Sequence, residues 1–219
     1  MAGLGPKLKL CKRLRIPKNE YEDYFHERGF QVVAGLDEVG RGAWAGPLVA
    51  AAVILDKKLY GLRDSKLLTH QERLKLAKKI YQTSKFGLGE VSAKEIDTIK
   101  LTKATQLAFK RAYKNLKIKC DFVLVDGVAG LYPERAIASR MGCRAIKKGD
   151  MICSSIAAAS IVAKVYRDNL MRQLDKQLPG YHFSIHKGYG TKLHQKCLQK
   201  LGLSVAHRRY YRPIKKCLK

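Results

Sequence analysis

The chain has 219 residues, enough for one domain with a core of ordinary size, or one domain and a small appendage. Its composition, 46% hydrophobic and 28% charged, excludes wholesale disorder. It carries 44 Lys and Arg against 18 Asp and Glu, a formal charge of +26, which points to a polyanionic partner and most simply to nucleic acid. The six cysteines, Cys11, Cys120, Cys143, Cys153, Cys197 and Cys217, form neither CxxC nor a Cys/His zinc spacing, so reduced thiols are expected. No apolar run reaches transmembrane length, so no membrane partner is expected. The basic N-terminus lacks the apolar stretch of a secretory signal, and the cytoplasm is the default location.

Residues 1–20 read as a cationic arm and residues 21–29, YEDYFHERG, as a short helix stopped by Gly29. Val32–Leu36 and Leu48–Leu55 read as buried strands joined by a glycine-rich turn, hence neighbours in one sheet. Thr69 and Glu72 have capping-box spacing at the start of a helix over 69–84, where Leu74, Ala77, Ile80 and Tyr81 recur at helical intervals. Phe86–Val91 reads as a strand, and 93–98 and 101–116 as two helical segments. Phe122–Val125 is a short apolar strand ending at Asp126 and Gly127. LYPERAIASRMGC, which follows, carries no usable signature. Residues 154–175 form the longest helical pattern, ended by Pro179-Gly180. A loop over 181–192, a last helix over 192–201 and a basic tail over 207–219 complete the chain. Strands first and helices interspersed afterwards imply a mixed α/β sheet covered by helices.

Asp37 and Glu38 sit where an apolar strand meets a glycine turn; alone, the pair differs little from any acidic turn. Asp126 repeats the arrangement after FVLV. Asp150 follows Gly149 just before a helix, where an acid also complements the helix dipole. Asp168, late in the long helix and on its polar side, reads as a surface or ion-pair residue. Carboxylates gathered in one place repel unless a cation joins them, and hard ions such as Mg²⁺ prefer oxygen ligands. Two such ions roughly 3.5–4 Å apart can activate water and stabilise the leaving oxygen in phosphodiester cleavage. Gly40-Arg41-Gly42 offers backbone N–H groups to phosphate or sugar, Lys66 offers a cation to phosphate, and Tyr189 within HKGYGT offers a stacking face. There is no serine or cysteine nucleophile pattern and no GxxxxGK[ST] phosphate loop.

Taken in order, GLDEVGRGAWAGPLVAAAVIL, DSKLLT, EIDTIKLTKATQLAF, FVLVDG, KKGD, AAASIVAKVYRD and HKGYGTKLH closely resemble ribonuclease HII, the type 2 ribonuclease H family, from about Phe30 to Pro213. The resemblance implies the ribonuclease H-like α/β fold, a mixed five-stranded sheet flanked by helices with a small helical C-terminal part. It implies a basic arm and short helix over 1–29, a catalytic domain over 30–178, and a loop, helix and tail over 179–219 that complete the substrate groove. The implied activity is endonucleolytic hydrolysis of RNA in RNA–DNA hybrids. Incision on the 5′ side of a ribonucleotide embedded in duplex DNA is implied too, with 5′-phosphate and 3′-hydroxyl ends, by a protein expected to act as a monomer. By matching position, the four acids that hold Mg²⁺ or Mn²⁺ fall on Asp37, Glu38, Asp126 and Asp150. The element that reads the 2′-hydroxyl falls on Gly40, Arg41 and Gly42, the tyrosine that packs on the ribose on Tyr189, and a backbone-contacting lysine on Lys66. Val39 and Ala43-Trp44 stand where Ala and Pro-Leu are frequent, and Trp44 is bulkier than usual. Two rival expectations remain: a catalytically silent nucleic-acid-binding protein of the same fold, and another nuclease of that fold such as a resolvase or a DNA-only enzyme.

Overall fold

Eight apolar residues in a row, Leu48–Leu55, leave no polar face for water, so the strand they form belongs inside a sheet covered on both sides. The computed structural model, which describes residues 19–62, 65–127 and 142–218, places it there. In chain order the elements are α1 (Glu20–His26), β1 (Val33–Val39), β2 (Leu48–Leu55), α2 (His70–Thr83), β3 (Ser84–Val91), α3 (Ala93–Leu116), β4 (Phe122–Asp126), β5 (Gly142–Ile146), α4 (Ser154–Gln177), α5 (Phe183–His186), α6 (Lys192–Leu201) and α7 (Arg212–Lys215). The sheet has five strands in the order β3-β2-β1-β4-β5. β1–β2 and β2–β3 are antiparallel, while β1–β4 and β4–β5 are parallel.

One face packs on α3 through Ala34, Leu36, Ala50, Phe109, Val123 and Val125. The other packs on α4 and α2 through Val49, Ala51, Val53, Ile80, Ala157 and Ile161. Small residues set the spacing on both sides. A Cβ on Gly35 of β1 would lie 2.2 Å from the backbone carbon of Ser155 in α4, and one on Gly89 of β3 would lie 2.0 Å from Ala108 O in α3. α5, α6 and the end of α4 form a smaller core around Ala45, Met171, Tyr181, Phe183 and Cys197.

β2 has the bounds expected, and α2 begins with the expected box: Glu72 N donates to Thr69 Oγ1 (3.3 Å) and Thr69 N to Glu72 Oε2 (2.8 Å). The two helical segments expected over 93–98 and 101–116 are both present, running together as α3 across a non-helical Lys100 (φ 66°), whose ammonium donates to Asp97 O at 2.6 Å. Three expectations need correction. β1 runs past Leu36 to Val39, because Asp37 and Glu38 keep their ladder with Ala51 and Ala50. The loop over 181–192 holds a helical turn, α5, around buried Phe183. The basic tail is not free: α7 forms after Tyr211, and Arg208 is wholly buried. Residues 1–18 of the arm read over 1–20, Asp64 and residues 128–141 lie outside the described residues, and Glu20 belongs to α1. Five cysteines are free thiols, Cys11 also lying outside them, and among the described residues no helix is long and apolar enough to cross a membrane.

Gly89→Ala must push α3 away from β3 and is expected to cost about 1–3 kcal/mol in urea unfolding. Gly42→Ala, whose Cβ meets nothing within 4 Å, serves as the control. A Gly89→Ala loss no larger than the control's would contradict the close packing.

Candidate active site

Residues along a strand alternate between faces, so Asp37 and Glu38 cannot both point the same way. Asp37 shares the α4 face with Gly35 and takes a hydrogen bond from the Ser160 side chain of α4. Its Oδ1 also accepts from Glu38 N at 2.7 Å. Glu38 lies on the other face, where its Oε1 is 3.4 Å from Arg41 Nη1. The parallel register pairs Leu36 with Val125, which sets Asp126 beside Asp37 at the end of β4. Asp150 comes from a single 3₁₀ turn, Gly149–Met151, entered through Lys148 in the left-handed region (φ 59°). Gly149 N donates to Asp126 Oδ1 at 2.6 Å, so the turn that supplies Asp150 also fastens Asp126.

Asp37, Asp126 and Asp150 each present a carboxylate oxygen within 4.8 Å of the others. Asp37 and Asp150 are buried, and Asp126 is half-buried. Three hard oxygen donors at this separation match a divalent cation, which would offset their mutual repulsion. Lys66 Nζ lies 3.9 Å from Asp150 Oδ2, and the lysine side chain is 81% exposed. Of the four acids expected to converge, three therefore form the compact group, and Glu38 stands across the strand beside Arg41. Asp168 is buried, contrary to a surface role, and its pairing with Lys164 at 2.7 Å fits the ion-pair reading.

The Gly40-Arg41-Gly42 turn and the Tyr189 loop meet one another. Trp44 N and Ala45 N donate to Gly188 O at 2.8 and 3.3 Å, and a Cβ on Gly188 (φ 81°) would strike Ala45 O at 2.3 Å. Tyr189 is half-buried, and the Arg167 guanidinium lies 5.5 Å from its ring centre. A histidine relay backs the loop. His194 Nδ1 bonds Tyr189 O at 3.0 Å, His194 Nε2 meets His207 Nε2 at 3.0 Å, and His207 Nδ1 accepts from Ser204 N at 2.9 Å. Burial lowers both histidines to about 4, so the relay stays neutral at physiological pH. Trp44 packs flat on Gly190, where a Cβ would fall 2.1 Å from the indole. Sequence reasoning missed Ser160, Arg167 and Arg208 as supports of the site. Ser160 and Arg167 fall within a quoted block, but nothing in their spacing told that they face β1 and the turn.

The profile of the family described as "Ribonuclease HII" matches residues 34–213. A ribonuclease HII of Dehalococcoides mccartyi is 44% identical over 200 residues, spanning 89% of this chain and 92% of that one. A ribonuclease HII of Chlamydia abortus is 46% identical over 198 residues, spanning 89% and 90%. Among solved structures, the ribonuclease H2 of Pyrococcus horikoshii superposes with a TM-score of 0.71 at 28% identity, covering 85% of this chain and 97% of that one.

The acids leave a pH signature. Burial first, then the charges of Glu38, Asp126 and Asp150, hold the Asp37 carboxyl well above the usual carboxylate range, against the Ser160 hydrogen bond. Burial pushes Glu38 up to about 6, with Arg41 pulling it down and Asp126 adding to the rise. Both acids bind protons more tightly folded than unfolded. Their contribution thus favours the fold below about 4.5 and is lost as pH rises through about 6. Without divalent ions, Asp37→Asn should stabilise the protein near pH 7.5 by about 1–2 kcal/mol, roughly 3–6 °C in Tm. The gain should shrink toward pH 4.5, and calorimetry across that range checks it. A variant that melts below wild type at pH 7.5 would contradict the repulsion.

Proposed function

The chain belongs to the ribonuclease HII family and is an endoribonuclease acting on RNA–DNA substrates, and from that premise we propose that Asp37, Glu38, Asp126 and Asp150 are its catalytic acids. The observation that carries the proposal is the meeting of Asp37, Asp126 and Asp150 within 4.8 Å on the α4 face of the sheet. The substrates are RNA–DNA hybrid and duplex DNA holding a single ribonucleotide. Incision falls on the 5′ side of the ribonucleotide and leaves a 5′-phosphate and a 3′-hydroxyl. The acids would hold Mg²⁺ or Mn²⁺, whose Lewis acidity would serve to activate water and offset charge on the phosphate.

The chain's own residues do the rest. Asp37, anchored by Ser160 and by Glu38 N, and Asp126, anchored by Gly149 N, hold their oxygens where little rearrangement is needed. Glu38 is the fourth donor, and Arg41 keeps it charged until substrate arrives. Backbone N–H groups of Gly40-Arg41-Gly42 read the ribose 2′-hydroxyl, the group that separates RNA from DNA. Tyr189 packs on that ribose, and exposed Lys66 contacts the phosphate backbone. Residues 30–178 form the catalytic body and 179–219 complete the groove. The protein acts as a cytoplasmic monomer. A catalytically silent binder is disfavoured, because burying repelling carboxylates opposite a polyanion costs stability and serves no binding purpose.

Cleavage of duplex DNA carrying one ribonucleotide should require Mg²⁺ or Mn²⁺ and stop in EDTA. Asp126→Asn should lower the rate by roughly 1000-fold or more. Replacing the ribonucleotide with its deoxy counterpart should abolish incision. Wild-type speed in Asp126→Asn would refute the catalytic assignment, and undiminished cutting of all-DNA duplex would favour a DNA nuclease.

A further inference from the structure

A loop that reads its ligand through backbone N–H groups has no side-chain rotamer to adjust. Its selectivity depends on how each peptide plane is held. Because a peptide is planar and trans, fixing the carbonyl of one residue fixes the N–H of the next, pointing the opposite way. In the turn between β1 and β2, that fixing is done from the far end of the chain.

Arg208 is 0% exposed. Its Nη1 donates to Gly40 O at 2.7 Å and Arg41 O at 3.2 Å, and its Nε to Gly46 O at 2.9 Å. The Tyr211 hydroxyl, 3.1 Å from Arg208 Nη1, donates to Arg41 O as well. The peptides held this way are those that carry the N–H groups of Arg41 and Gly42. Among the described residues, the turn's own backbone bonds run from Ala43 N to Gly40 O, from Trp44 N and Ala45 N to Gly188 O and from Gly46 N to Ala206 O, and use neither group. Asp97 of α3 anchors the holder, accepting from Arg209 N at 2.9 Å and Tyr210 N at 2.8 Å.

The cost of this arrangement argues for its purpose. A guanidinium buried without a carboxylate partner is unfavourable, and an apolar side chain would fill the space more cheaply. Among the described residues no acid forms a salt bridge with Arg208, its Nη2 has no hydrogen-bond partner, and burial lowers its pKa. What the guanidinium supplies and an apolar group cannot is a donor set aimed at three carbonyls of one turn.

We infer that Arg208, aided by Tyr211, is a positioning residue for substrate discrimination: it aims the N–H groups of Arg41 and Gly42 at the ribose and so sets the preference for a ribonucleotide over a deoxyribonucleotide. The inference rests on the reading that the Gly40–Gly42 backbone faces the 2′-hydroxyl. It makes the C-terminal segment part of the specificity apparatus without touching substrate.

Binding in EDTA, where cutting cannot proceed, separates the possibilities. Affinity is measured by fluorescence anisotropy at one salt concentration, for a duplex with one ribonucleotide and for the all-DNA duplex of the same sequence. Arg208→Lys keeps the charge and loses the fork, and Tyr211→Phe removes one hydroxyl. Each should cut the ribonucleotide preference, by up to about ten-fold for Arg208→Lys and less for Tyr211→Phe, while all-DNA affinity stays within about two-fold. Gly42→Val tests the underlying reading, since its Cβ meets no protein atom within 4 Å and the added side chain would crowd a ribose bound against this backbone. If Gly42→Val abolishes the preference and the other two leave it intact, the positioning role is overturned and the reading stands. If Gly42→Val also leaves the preference intact, the reading itself fails. A parallel loss of both affinities in Arg208→Lys and Tyr211→Phe would reduce the role to general stability and overturn the inference. Should Arg208→Lys fail to fold, Tyr211→Phe decides.

Discussion

Three carboxylates within 4.8 Å of one another, with Asp37 and Asp150 buried, repel too strongly to remain charged together unless a cation joins them. Much of the surrounding architecture serves to keep them there. The parallel pairing of β1 with β4 sets Asp37 beside Asp126. Gly35 lets α4 come down onto β1 so that Ser160 can reach Asp37. The 3₁₀ turn brings Asp150 in and holds Asp126 by the same peptide. The rest of the protein is strongly cationic, at +26, so the acids occupy a small negative pocket in a positive field. That field draws in nucleic acid from a distance, while ligands for divalent ions require the local reversal of sign.

A second, quieter frame surrounds the pocket, made of polar side chains bonded to backbone. Arg167 reaches from α4 to Pro47 O, Lys187 O and Ala45 O at 2.8, 3.0 and 3.3 Å. It lies under Gly40, where a Cβ would fall 2.2 Å from its Nε. Arg208 holds the other side of the same turn. Between them the two arginines tie together β1, β2, α4, the Tyr189 loop and the C-terminal segment, all without a salt bridge among the described residues. The division of labour is physical: acids on strands and a rigid turn do the chemistry, while glycine-rich backbone braced by guanidinium groups does the recognition.

Most of this fold was legible from the chain because its signals are local. The uninterrupted apolar run of Leu48–Leu55 marks a central strand, and Thr69 with Glu72 marks a helix start, and both stand as read. What was not legible depends on partners distant in sequence. β1 continues through Asp37 and Glu38 because β2 goes on pairing with it, which no hydropathy pattern reveals. That extension sets Asp37 on the α4 face, where its carboxylate neighbours Asp126 and Asp150 come from β4 and the turn before α4, while Glu38 lies beside Arg41 with its charge still felt at Asp37. β5, at Gly142–Ile146, has no alternating pattern strong enough to announce it. Arg208 read as one more charge in a basic tail, since burial of an arginine on carbonyl groups 162 to 168 residues away leaves no local trace.

Anomalous diffraction at the manganese edge, from crystals of the protein grown with Mn²⁺, tests the account most directly. It predicts an anomalous peak coordinated by oxygens of Asp37, Asp126 and Asp150. Crystals saturated with Mn²⁺ that bind it elsewhere and show no peak among these three carboxylates would contradict it.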